Sequence, residues 1–282
     1  MISTKNSLLV ILLAIMVSGC SFRFVYNHLD WWTNWYLDDY VELTKQQQQI
    51  FDEEFEKLHL WHRETQLPLY SQQLKALKLA INNDINEEII TENLAAFVEH
   101  WQNFLIAAEP KLQPLAFSLS AEQKKQLLQA LAENNQERLD DYEQLSEQEW
   151  FEERAEDQQE QLKEWFGKLT KAQKAQVAKM SQNFQRSFEP WINYRQRWTT
   201  QFSELLNGDL PDHQFKFEFY RLFVNGRSLR SDEFNDITAN NNQVFANIFV
   251  YMVTNATDKQ RKRINKNLNK VIGDLEYLAK DE

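Results

Sequence analysis

The chain has 282 residues, with nine Trp, nine Tyr and 19 Phe to fill a core, while its five Gly and five Pro fall far below the roughly 12% of ordinary usage. That shortage of turn residues disfavours sandwiches, barrels and glycine-rich nucleotide folds, and points to long helices. A hydrophobic share of 43% with 26% charged residues excludes collagen, a polytopic membrane protein and wholesale disorder, and a net charge of −11 disfavours general binding of nucleic acid or anionic lipid.

At the N-terminus a short polar stretch with Lys5 precedes an unbroken apolar run from Leu8 to Val17, the anatomy of a secretory leader and too short to span a bilayer. Val17-Ser18-Gly19-Cys20 follows and resembles the lipobox of bacterial lipoproteins. Cys20 is the only cysteine, so no disulfide partner competes for it. The resemblance implies that residues 1–19 are removed and that Cys20 carries acyl chains, palmitate-type chains among them. Ser21, where an Asp would resemble the inner-membrane retention signal of Gram-negative lipoproteins, implies delivery to the outer membrane, facing the periplasm. An ordinary secretory leader is the alternative. Losing Lys5 leaves the mature chain more acidic still.

Next comes a cluster of large rings, Trp31, Trp32, Trp35, Tyr36 and Tyr40. Amphipathic rings close to a lipid anchor suit the headgroup region, but Asp30, Asp38 and Asp39 among them favour packing of Trp31 and Trp35 into the helical core. Beyond residue 44 the chain is punctuated by helix starts. Thr44 to Gln47, Ser120 to Gln123, Thr170 to Gln173 and Thr257 to Gln260 each spell S/T-x-x-Q, and Ser146 to Glu149 gives a fifth such box with Glu. This is the capping box, in which the hydroxyl takes the third helical N–H and the amide or carboxylate reaches back to the cap. The boxes are too unevenly spaced for a solenoid.

Apolar residues after these starts recur at three and four residues. Ile90, Leu94, Phe97, Trp101 and Leu105 make one stripe; Ile264, Leu268, Val271, Leu275 and Leu278 make another; Phe234, Ile237, Val244, Phe245, Ile248, Phe249 and Met252 make a third. Pro68 and Pro190 are expected to break or kink helices just upstream, and Pro110 with Pro114, like Gly208 with Pro211, to mark connections. Residues 214–232 read as helix, with a hairpin turning at Asn225-Gly226 as the alternative. The whole predicts an all-α fold, an elongated bundle of about nine or ten amphipathic helices. It divides into a leader at 1–19, a lipid-anchored aromatic segment at 20–44 and one helical domain at 45–282, with a break near 110–120 as the alternative boundary.

His59-Leu60-Trp61-His62 places two imidazoles one turn apart with Glu56 one turn earlier, yet a di-iron site needs a second Glu-x-x-His and none is present. Half-buried histidines bonded to neighbouring helices are the expectation, with no metal and no cofactor. No G-x-S-x-G, P-loop or G-x-G-x-x-G occurs. The residues singled out for a ligand or partner surface are Trp31, Trp35, Tyr36, His59, Trp61 and His62. Arg195 and Arg197 among Trp191, Tyr194 and Trp198 read as guanidinium stems packed on rings. An acidic stretch at 133–160 and a basic one at 258–270 read as two solvated faces, with mutual packing as the alternative.

The lipobox, Tyr26-Asn27-His28-Leu29-Asp30-Trp31, Tyr36 to Thr44, and Trp61-His62-Arg63-Glu64-Thr65-Gln66-Leu67-Pro68 together resemble a family of bacterial lipoproteins known only as a domain of unknown function. A weaker likeness, to the Spy/CpxP periplasmic chaperones, rests on Leu-Thr-x-x-Gln at Leu43 to Gln47 and Leu169 to Gln173, nearly matched at Leu119 to Gln123. The expectation is a non-catalytic, lipid-anchored envelope protein that touches the membrane through its anchor and binds envelope proteins, with no nucleic acid among its partners. A chaperone-like binder of unfolded clients and an envelope hydrolase using paired carboxylates are the alternatives.

Overall fold

The computed structural model describes residues 19–142 and 144–280, with side chains from Phe22 onward. The expected leader and the Cys20 side chain lie outside what it describes. The described residues are helical with no strand. Two short helices, α1 (Gly19–Asn27) and α2 (Leu29–Asp38), precede the body: α3 (Lys45–Trp61), a π-turn (His62–Gln66), α4 (Leu67–Asn82), α5 (Glu87–Phe117), α6 (Ala121–Asp140), α7 (Glu147–Phe166), α8 (Lys171–Ser181), α9 (Phe188–Asn207), α10 (Asp212–Phe223), a 3-10 turn (Gly226–Leu229), α11 (Asp232–Thr254) and α12 (Asp258–Leu278). No described helix is long and apolar enough to cross a membrane.

All five capping boxes form as the sequence predicts. The four with Gln do more than start helices, because they meet in two pairs. Gln47 Nε2 donates to Gln123 Oε1 at 3.2 Å and Gln123 Nε2 donates back to Gln47 Oε1 at 2.7 Å. Gln173 and Gln260 exchange the same two bonds at 3.0 and 2.9 Å. Each amide also donates to the carbonyl two residues before its partner's cap: Gln47 to Ser118, Gln123 to Glu42, Gln173 to Asn255 and Gln260 to Lys168. Every donor and acceptor of these four buried side chains is therefore used, as a buried amide requires.

The pairs reveal a two-fold plan that their uneven spacing conceals. In each half a box opens a helix (α3, α8) that packs on the helix preceding the second box (α5, α11), and α5 and α11 pack on each other. The closing helices are exchanged: α6 of the first half packs on α9 of the second, and α12 of the second packs on α4 of the first. The second half adds α10, and its α11 has 23 residues where α5 has 31.

Three apolar clusters hold this arrangement. Ile248, Met252, Ile264 and Phe166 centre the largest; Phe202, Leu206, Phe215 and Phe219 hold α9 to α10; and Phe22, Tyr26, Leu67, Val271, Leu275 and Leu278 tie α1 to α4 and α12. The stripe of α12 is buried throughout, as its period predicts. Residues 212–223 are helical, with Phe215, Phe219 and Leu222 inward. The 3-10 turn follows at Gly226, where a Cβ would stand 3.2 Å from the Trp198 ring.

Pro190 falls in the first turn of α9, where a missing N–H costs nothing, whereas Pro68 follows the π-turn within a helix that runs on from Lys45 to Asn82, and the interruption expected before it takes the form of that π-turn. Pro110 and Pro114 correct the expectation of a connection, since both lie inside α5. They are four residues apart and exposed, while Ala108 just before them and Gln113 between them are buried. Their rings and the carbonyls they leave unbonded thus face solvent, and the packed side of the helix continues unbroken.

Candidate functional site

The residues expected to carry function separate into two surfaces. The first is a seam where α1, α3, the π-turn, α4 and α5 meet. His62, the first residue of the π-turn, lies between two tyrosines: Tyr26 Oη is 2.8 Å from Nδ1 and Tyr70 Oη is 3.2 Å from Nε2. A neutral imidazole has one N–H and one lone pair, and two hydroxyls satisfy both. Burial, aided by the neighbouring His59, pushes the His62 pKa down to about 4. Burial lifts Tyr70 to about 12 and raises Tyr26 as well. His59 packs against the Tyr26 ring at 4.7 Å, with its pKa lowered by burial and by Arg63.

On the α5 side, His100 Nε2 donates to Gln73 Oε1 at 2.7 Å and its ring packs 4.6 Å from Tyr70. Burial again lowers its pKa. The histidines and tyrosines of the seam are therefore uncharged at neutral pH, with the Arg63 guanidinium 5.3 Å from the Tyr26 ring as the cation beside them. His59 Nε2 and His100 Nδ1 are buried without a hydrogen-bond partner among the described residues. Glu56 is exposed while both nitrogens of His62 are occupied, and no group of His, Cys, Asp and Glu among the described residues could hold a metal.

The seam reaches the surface through α5. Phe104 stands edge-on to His62 at 6.2 Å and stacks on Trp101 at 5.3 Å; Phe97 stands edge-on to His100 at 6.4 Å. Ile90 and Ala108 at either end of this face are buried, but Phe97 is 48% and Trp101 57% exposed. Trp61 approaches His62 from α3 at 6.4 Å. Of the seam residues, His59, Trp61 and His62 stand out in the sequence. Tyr26, Tyr70 and His100 come from helices whose approach the sequence does not fix, and the α5 stripe reads as core because nothing local distinguishes a covered apolar face from an uncovered one.

The second surface is α2, where the structure corrects the expectation of core packing. Trp31 is 59%, Trp35 55% and Tyr36 57% exposed, and no residue of α2 is buried. Trp31 and Trp32 meet edge to face at 4.8 Å, and Trp32 and Trp35 at 6.2 Å. The inward contacts of this segment come instead from Phe22, Tyr26 and Leu29. Arg23 pairs with buried Asp274 of α12, and Arg63 of the π-turn donates to Asn27 Oδ1 at 2.8 Å and to the Leu278 carbonyl at 3.0 Å. The N-terminal helix, the π-turn and the end of α12 are thus stapled at one place.

The remaining candidates behave as structure. Arg195 and Arg138 both approach the Trp191 ring, and Arg195 donates to Asn134 and Asn135. Arg197 donates to the Leu229 carbonyl and Trp198 Nε1 to the Leu222 carbonyl. The helices that carry the two charged stretches touch, α7 on α12, through residues beyond the acidic stretch: Arg263 and Asn267 donate to the Glu164 and Trp165 carbonyls in the last turn of α7. Cationic and amide donors there complement the negative end of the helix dipole. Two open concavities, around Asn193, Arg197 and Glu204 and around Asn83, Asp84 and Arg261, are each lined by one carboxylate. Neither supplies the carboxylate pair that glycoside hydrolysis requires.

No curated protein and no solved structure matches the chain. A family model, that of a family of unknown function, DUF6279, matches residues 39–235. That span takes in α3 to α10, the π-turn, both residues of the first glutamine pair and the whole exposed stripe of α5. On this match the chain belongs to the DUF6279 family.

Proposed function

We propose that the protein is a lipid-anchored envelope protein, tethered through Cys20 on the periplasmic side of the outer membrane, that binds other proteins without catalysis. The observation that carries the binding reading is the uncovered aromatic face of α5: Phe97 and Trp101 stand at the surface over a neutral, hydrogen-bonded base formed by Tyr26, His62, Tyr70 and His100. Large exposed rings seated on rigid elements are what protein interfaces use as anchors. The base holds no activated nucleophile, because burial keeps its histidines neutral and its tyrosines protonated. The anchor reading rests on the leader and Val17-Ser18-Gly19-Cys20.

In-cell crosslinking from a photoreactive residue at Val98, beside the stripe, tests both parts. Capture of one or two defined envelope proteins, lost in a Cys20→Ala chain, is the expected result. Capture of many unrelated unfolded proteins would favour the chaperone-like alternative. Absence of any protein adduct at Val98, with the protein present at normal level, would overturn the binding reading.

A further inference from the structure

The exposed rings of α1 and α2 are accounted for by neither the core nor the seam. On α1 the body side is fixed by Phe22 and Tyr26, both buried, and by Arg23 on Asp274. At 100° per residue Phe24 lies roughly opposite those two, and it is exposed, stacked on His28 at 4.2 Å. On α2, Leu29, Thr33 and Leu37 are half-buried and form the inward side; Trp31 and Trp35 lie opposite them and Trp32 on the flank, while Tyr36 falls beside Leu29 and bonds to Tyr40. Both helices therefore turn aromatic surface away from the body.

We infer that this aromatic face, Phe24, Trp31, Trp32 and Trp35, seats in the headgroup layer of a zwitterionic lipid bilayer, fixing how the body stands on the membrane. The inference rests on the anchor reading: Cys20 opens the same α1, so the rings follow the lipidated residue by at most sixteen positions, and α1 lying along the surface brings them to the depth of the headgroups. Indole and phenol rings, apolar in body and polar at the tip, prefer that layer. The acidic neighbours do not oppose it. Asp30 falls roughly 100° to 140° around the helix from Trp31 and Trp35, on the flank where Asn34 bonds to Asp52 and Gln48 of α3. Asp38 shares the face of Trp31 and Trp35 and, with Asp39, lies at the end of α2, where zwitterionic headgroups offer cationic groups to both.

The test uses the full lipidated chain reconstituted into phosphatidylcholine vesicles that carry bromine on the acyl chains near the headgroup. Flotation reports anchoring, and quenching of tryptophan emission reports contact. The expected result is co-flotation with quenching of about a third of the emission, the share of three among nine tryptophans, abolished in a Trp31→Phe/Trp32→Phe/Trp35→Phe chain that floats equally well. Co-flotation without quenching would overturn this inference and leave the anchor standing. If the chain floats no better than Cys20→Ala, the anchor reading falls and the inference with it.

Discussion

Gln173 and Gln260, 87 residues apart, close a ring of hydrogen bonds in which each amide accepts from its own helix cap and from its partner, and donates to its partner and to a carbonyl beyond. The two side chains are 2% and 3% exposed. A carboxylate in either place could still cap its helix but could not donate. Gln173→Glu is therefore expected to cost about 3 kcal/mol or more, because it removes two donors and buries a charge beside an oxygen. Chemical denaturation measures it. Glu149→Gln, in the exposed fifth box, is the control and is expected to change stability by less than about 0.5 kcal/mol.

Because the same ring is built twice, substitutions within one pair are expected to be strongly non-additive and substitutions across pairs additive. Gln47→Ala with Gln123→Ala should cost markedly less than the sum of the singles, since the second loss finds its partner already gone. Gln47→Ala with Gln173→Ala should equal its sum to within about 0.5 kcal/mol. A double-mutant cycle by urea unfolding reads both.

The caps show how far sequence carries in this chain. Thr or Ser three places before Gln fixes five helix starts including the Glu box, and periodic stripes fix the buried faces of α11 and α12. The preference for Gln over Glu in four boxes was the visible trace of their pairing, because only an amide both gives and takes. Which boxes pair depends on the exchange of α6 and α12 between halves, a tertiary fact with no local signal. The same holds for the seam: His59, Trp61 and His62 stand out by spacing, but Tyr26 and Tyr70 reach His62 from 36 residues before and eight after. Trp31 and Trp101 sit in apolar patterns indistinguishable from core, and only the absence of a packed neighbour leaves them exposed.

His62 gives the protein an acid-side sensitivity. Its pKa is depressed from 6.5 to about 4 in the fold, so the unfolded chain binds more protons between those values. Stability from this group is complete above about pH 6.5 and declines as the pH falls toward 4, by up to about 3 kcal/mol, with His59 and His100 adding losses of the same sign. Melting temperature against pH is expected to be flatter on the acid side in His62→Gln.

The staple at the N-terminus has its own signature. Arg23→Gln leaves the carboxylate of Asp274, 5% exposed, without its cation and is expected to cost about 2 kcal/mol, discounted because Arg23 itself is partly exposed. Amide hydrogen exchange should quicken in α1 while the Gln173 and Gln260 caps keep their protection.

The proposed function requires the α5 stripe to be a binding face and not a loosely packed piece of core. Trp101→Ala and Phe97→Ala together are expected to lower stability by less than about 1 kcal/mol each, whereas Ile248→Ala, fully buried, costs about 2 to 5 kcal/mol. The decisive measurement is the yield of the protein adduct captured at Val98 in cells carrying that double substitution. The adduct is expected to fall at least tenfold with the folded protein at normal abundance. An undiminished adduct would place the partner elsewhere and contradict the proposed function.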